Sequence, residues 1–130
     1  MKPVFLFLGA FGAFMGVSLG AFGAHALKAT LSVESLAVYQ TGVTYQMWHS
    51  LGLIAIALVQ QQAPDSKLLP WAGWFMFTGI LLFSGSLYLL VLLDMPQLGM
   101  ITPIGGSCFL IAWLLICISA TKKKSTSRYQ

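Results

Sequence analysis

The sequence predicts an all-α polytopic membrane protein, a four-transmembrane-helix bundle with both termini cytoplasmic. Three observations carry that prediction. Charged residues make up 8% of the chain and hydrophobic ones 58%, whereas about a quarter of a soluble domain is charged; so few charges cannot cover a soluble fold. Uncharged runs cover 3–27, 35–64, 68–93 and 95–121, each longer than the ~20 residues a spanning helix needs. The basic residues are one-sided. Lys2, Lys67, Lys122, Lys123, Lys124 and Arg128 belong to the termini and the second loop, and Lys28 alone to the first loop. By the positive-inside rule, six against one puts both termini in the cytoplasm. Residues 1–130 then form a single membrane domain.

The first helix is expected over 4–27. Gly9, Gly12, Gly16, Gly20 and Gly23 recur along it, and at 100° per residue all five fall within an arc of about 80°. Such a stripe of bare backbone is a surface for close packing by another membrane helix. Lys2, the apolar run and Ala24-His25-Ala26 mimic a secretory signal. The run, however, exceeds the 7–15 residues of a signal's apolar region, and a signal has no use for the stripe.

A helical pattern fills 33–61. Ser32 suits its N-cap, and Glu34 favours the positive end of the helix dipole. At 1.5 Å per residue this helix is about 40 Å long or more, so its first part, up to Gly42, is expected along the interface, with a bend cheapest at Gly42. The second loop, from Gln60 to Leu69, holds Pro64, Asp65 and Lys67. Helix three is expected over 70–93, opened by Pro70 with Trp71 and Trp74 at the membrane interface. It stops at Asp94-Met95-Pro96. Helix four is expected over 99–121, with Pro103 in its first turn, followed by a basic tail over 122–130. Gly85 on helix three and Gly105 on helix four join the first-helix glycines as expected packing positions. Cys108 and Cys117 lie on opposite sides of helix four, roughly 13 Å apart, too far for a disulfide.

The polar residues are uneven in depth. The inner halves of the helices, with Val4–Phe14, Leu53–Val59 and Phe109–Ile118, carry no strong hydrogen-bonding side chain in this reading. On helix two Gly42, Tyr45, Gln46, His49 and Gly52 share a face about 120° wide. Unpaired polar groups in hydrocarbon cost several kcal/mol each, so this face must look into the bundle, a partner or a wet cavity. Two readings follow. One is an outward-opening polar pocket lined by Tyr45, Gln46, His49, Ser84 and Tyr88, with His49 the histidine that water reaches. The other is interhelical hydrogen bonding that sets register, at about 0.6 kcal/mol per bond. His25 projects away from the glycine stripe, beside Phe14, Ser18 and Ala21.

Catalysis is poorly supplied. Glu34, Asp65 and Asp94 all lie at loops or helix ends, and no nucleophile, base and orienting group can be assembled by spacing. No metal and no cofactor is expected, because no Cys, Asp or Glu joins either histidine on its face. Proton-driven transporters usually carry intramembrane carboxylates, and there is none in mid-membrane, which disfavours active transport. The expected partners are the lipid bilayer and another membrane protein or a second copy of the chain, not nucleic acid. The leading expectation is thus a non-enzymatic accessory or interaction protein of the bacterial inner (plasma) membrane. The alternative is a passive channel or small-molecule transporter subunit using the outer pocket. Below His49, however, helix two offers only Leu53, Ile56 and Val59, which reads as a floor.

At Gly20-Ala21-Phe22-Gly23-Ala24-His25-Ala26-Leu27, Tyr39-Gln40-Thr41-Gly42-Val43-Thr44-Tyr45-Gln46 and His49-Ser50-Leu51 the chain resembles a known group. Phe83-Ser84-Gly85-Ser86-Leu87-Tyr88 and Thr102-Pro103-Ile104-Gly105-Gly106 fit the same pattern. The group is the domain of unknown function 423 family of small membrane proteins, with its YgdD-like and transmembrane protein 256-like members. The resemblance implies a polytopic inner-membrane protein and brings no mechanism with it.

Overall fold

A computed structural model describes residues 3–122. Its helices are α1 (Val4–His25), α2 (Val33–Gln62), α3 (Leu68–Gly79), α4 (Gly85–Leu92) and α5 (Thr102–Thr121). A π-helical segment, Ile80–Ser84, fuses α3 and α4 into one rod, and short 3₁₀ turns occupy Leu27–Ala29 and Pro96–Met100. Four stretches are long and apolar enough to cross a membrane: Val4–Ala29, Val33–Gln62, Leu68–Leu92 and Pro96–Thr121.

Burial ranks them. Over an 18-residue apolar window of each, 44% and 39% of the residues are buried in the second and third stretches, against 17% in the first and in the fourth. The second and third are therefore the centre of the bundle. α1 packs along α2, and α5 packs along α3 and the π segment. The main core is Phe5, Leu53, Ile56, Ala57, Ala72, Met76, Ile80, Phe109 and Ala112. A smaller cluster of Leu27, Tyr39 and Val91 closes the end near the first loop. Large apolar side chains such as Phe7, Phe11, Phe14, Leu110 and Leu114 stay exposed. That surface suits hydrocarbon and not water.

Ser32 caps α2, its hydroxyl accepting from the Ser35 N–H at 3.1 Å. The helix then runs unbroken through Gly42 for 30 residues, about 45 Å. Gly42 serves packing there: a Cβ on it would come within 2.8 Å of the Tyr88 ring. α3 begins at Leu68, two residues before the expected start, so Pro70 still falls in the first turn, where its missing N–H costs no helical bond. α4 ends in a Schellman motif. The Met95 N–H donates to the Leu90 carbonyl at 3.0 Å, with Asp94 in the left-handed conformation at φ 52°.

Two expectations are corrected. Helix four does not start at Gly99; Pro96–Met100 is a 3₁₀ turn and α5 starts at Thr102. An α-helix from Gly99 would need an N–H that Pro103 lacks, whereas from Thr102 the proline occupies the second helical position. Helix three is also not a regular α-helix throughout. At Ile80–Ser84 the ladder shifts, and the Gly85 N–H bonds to the Ile80 carbonyl. One residue more per turn re-aims every side chain beyond it. Of the basic tail, residues 123–130 lie outside the described residues, as does Lys2.

Candidate functional site

The seam between α1 and α2 is built on missing side chains. A Cβ on Gly9 would come within 2.6 Å of the Ser50 carbonyl oxygen. On Gly16 it would meet the Met47 sulfur and on Gly23 the Tyr39 ring, each at 2.5 Å. Gly12 faces the Ser50 hydroxyl and Gly20 lies 3.3 Å from Val43 on the same test. Bare backbone also uncovers carbonyls one turn earlier. Beside Gly16, the Gln46 amide Nε2 donates to the Gly12 carbonyl at 2.8 Å. Beside Gly23, the Tyr39 hydroxyl donates to the Leu19 carbonyl at 2.6 Å. The stripe thus provides both close approach and acceptors.

Gln46 joins three helices. Its Nε2 holds α1, while its Oε1 accepts from the Tyr88 hydroxyl of α4 at 2.6 Å. The π segment helps position this side of the site: Ser84 Oγ, at its last residue, donates to the Gly42 carbonyl at 2.6 Å. Two residues on, Ser86 Oγ donates to the Phe83 carbonyl at 2.9 Å and accepts from the Thr102 hydroxyl at 2.6 Å. Gly105 lets α5 lie directly on the π segment, since a Cβ there would strike the Phe83 backbone nitrogen.

His49 points to the other side of α2. The Trp113 indole N–H, which can only donate, bonds to His49 Nε2 at 3.0 Å. The ring proton therefore sits on Nδ1 and is donated to the Tyr45 carbonyl at 2.7 Å. The Phe109 ring stacks on the imidazole at a centroid distance of 3.6 Å. Tyr45 leans on Phe83 at 4.5 Å. Outside these rings runs a groove of about 520 Å³ between α2 and α5, reaching from Pro103 and Ser107 down to Trp113. A second cleft of about 400 Å³ lies between α1 and the α3–α4 rod, with Gln46 and Tyr88 at its back.

The five residues read as one polar pocket are therefore divided. Gln46 bonds to α1 and to Tyr88 of α4, Ser84 bonds back to the Gly42 carbonyl of α2, and Tyr45 and His49 face α5. The reason is angular: Tyr45 and Gln46 are adjacent in sequence and so about 100° apart around the helix. His49 is buried, at 5% exposure, and both its nitrogens are engaged, so it is not a water-facing group; His25 is the exposed one. Gly85, read as a packing position, is corrected too. No described residue lies within 4 Å of where its Cβ would be, because the π segment turns it toward the open cleft. The inner half of α5 is not featureless either: Trp113 supplies the donor His49 needs. Its indole N–H was the available signal, since a tryptophan deep in a span must find an acceptor. Tyr39, which ties α2 to α1, was the other residue missed. Among the described residues no three of His, Cys, Asp or Glu come together as metal ligands.

The chain matches the family model "Protein of unknown function (DUF423)" over residues 19–106, a span holding the last two stripe glycines, the polar face of α2 and the π segment. It is 46% identical over 119 residues to the UPF0382 membrane protein YwdK of Bacillus subtilis, covering 92% of this chain and 97% of that one. A UPF0382 membrane protein of Staphylococcus saprophyticus is 47% identical, over 92% of this chain and 98% of its own. One from Staphylococcus epidermidis is 48% identical, over 92% and 96%. No solved structure matches. With four apolar spans and relatives this similar across almost its whole length, the chain belongs to the DUF423 family and is a multi-pass protein of the bacterial plasma membrane.

Proposed function

We propose that this protein is a non-enzymatic accessory or interaction protein, with both termini cytoplasmic, that works by lateral contact with another membrane protein or a second copy of itself. One observation carries the reading: six of the polar side chains within the spans are taken up in holding the bundle together. Gln46, Tyr88, Ser84, Tyr39, His49 and Trp113 all bond to neighbouring elements or to their own helix. The three carboxylates, Glu34, Asp65 and Asp94, are all exposed at helix ends and loops, so no acid or base is held against a site. Meanwhile α1 and α5 leave long apolar faces open, including Phe7, Phe11, Phe14 and Val17 on α1. A channel or small-molecule transporter would need the polar face to continue along α2. Leu53 and Ile56, 0% and 2% exposed, fill that depth as core.

Affinity purification of the tagged chain from native membranes tests this. Stoichiometric recovery of a defined membrane complex, or of a second tagged copy, is expected. Solute flux through liposomes holding only the purified protein would overturn it. Topology is tested separately by reporters fused after Gln130 and inserted at Ala29, which should report the cytoplasm and the opposite side.

A further inference from the structure

We propose that the groove between α2 and α5 is a binding site for a membrane-soluble molecule carrying a flat aromatic or quinoid ring, which reaches it sideways from the bilayer. The inference does not depend on the accessory reading. The volume, about 520 Å³, lies in the range of small-molecule sites. Six of its ten lining residues bear aromatic rings: Tyr45, Trp48, His49, Phe83, Phe109 and Trp113. Flat ligands stack on such walls; a flexible chain would fill the space without using their geometry. The walls are fixed before any ligand arrives. Trp113 is bonded to His49, His49 is stacked on Phe109, and Tyr45 leans on Phe83.

The rim is open to the membrane, with Trp48 58% and Leu110 73% exposed. It also holds an unused donor. The hydroxyls of Tyr39 and Tyr88 are bonded inside the protein, whereas that of Tyr45 has no hydrogen-bond partner among the described residues. A phenol facing hydrocarbon without an acceptor is unfavourable. A carbonyl or hydroxyl on a ring seated in the groove would satisfy it, and Ser107, which donates to the Pro103 carbonyl at 2.9 Å, keeps lone pairs free to accept. No acidic side chain lines the groove, so an organic cation would find no counter-charge.

The test uses the full chain in nanodiscs of saturated phosphatidylcholine, titrated with a short-chain naphthoquinone. Trp48 and Trp113 line the groove and Trp71 and Trp74 do not, so a W71F/W74F background isolates the groove tryptophans. Saturable quenching of their fluorescence is expected. A Cβ on Gly106 would meet only the Phe83 ring, at 3.8 Å, so Gly106→Leu has room to fold while its side chain fills the groove. It should weaken binding about tenfold or more. Tyr45→Phe removes one oxygen and should weaken it roughly threefold to tenfold, as loss of one hydrogen bond does; it carries the test if Gly106→Leu does not fold. Non-saturable quenching, or equal affinity in these variants and the parent, would overturn the proposal. So would displacement of the quinone by dodecanol as readily as by naphthol, which would make this a groove for alkyl chains.

Discussion

Along α1 bare glycine backbone lies against α2, whereas between α2 and the α3–α4 rod side chains fill the space. At Gly9 the helix meets the Ser50 carbonyl and Ile54, and at Gly12 the Ser50 hydroxyl. That hydroxyl is buried with no hydrogen-bond partner among the described residues. On the far side of α2, Tyr88 fills the hollow over Gly42, Phe109 the one over Gly79, and Met76 the one over Gly52, while Ser84, Gln46 and His49 tie the helices by hydrogen bonds. The difference teaches how a bundle coheres where burial from water supplies no drive. Association rests on close approach and on pairing of polar groups; the α1 seam uses both, through its glycines and the bonds to the Gly12 and Leu19 carbonyls, while the far side of α2 leans on pairing and on filled hollows.

The largest expected effects come where backbone lies on backbone, in the α1–α2 seam and where α5 crosses the π segment. Gly9→Leu and Gly105→Leu place side chains against backbone of the facing element, which cannot swing aside, so each should lower stability by about 3 kcal/mol or more. Ala13→Leu, half-buried on the same helix, should cost far less. Thermal unfolding in detergent, followed by helical circular dichroism, measures this. Equal shifts at Gly9 and Ala13 would end the claim that the stripe is special.

Gln46→Leu should come next, since it strands the Tyr88 hydroxyl and the Gly12 carbonyl together. About 1–3 kcal/mol is expected, and combining it with Tyr88→Phe should cost much less than the sum of the two singles. Strict additivity would mean that the bond does not couple the helices. Trp113→Phe should cost roughly 1 kcal/mol by leaving His49 Nε2 without its donor. The same change in a His49→Phe background should be nearly neutral.

Two smaller effects sharpen the contrast. Gly16→Ala should cost under about 1 kcal/mol despite its place in the stripe, because the atom it meets is the Met47 thioether, which can turn away. Gly85→Ala should be neutral or stabilise by about 0.5–1 kcal/mol, the usual gain on replacing a helical glycine where space is open. A large loss at Gly85 in membranes, but not in detergent, would reveal a partner helix seated on it.

The number of spans and the place of the loops were legible because charge-free length is a property of the chain alone: a residue that cannot be left in hydrocarbon marks each end. The angular stripe on α1 and the cap at Ser32 were legible for a similar reason, since both depend on spacing within one helix. What helix two's polar face meets was not. Tyr45 and Gln46 differ by one position and serve different seams, and no spacing rule says which neighbour stands at each angle. The π segment left no signature in composition, and it alone turned Gly85 out of the contact its sequence suggests. Trp113 became the partner of His49 only when α5 was laid beside α2, across a separation of 64 residues. The sequence by itself determined that this is a membrane bundle of four apolar crossings, because transfer to hydrocarbon is decided residue by residue. The tertiary structure alone decided that its polar face divides into two sites, because hydrogen bonds and ring contacts need the positions of both partners.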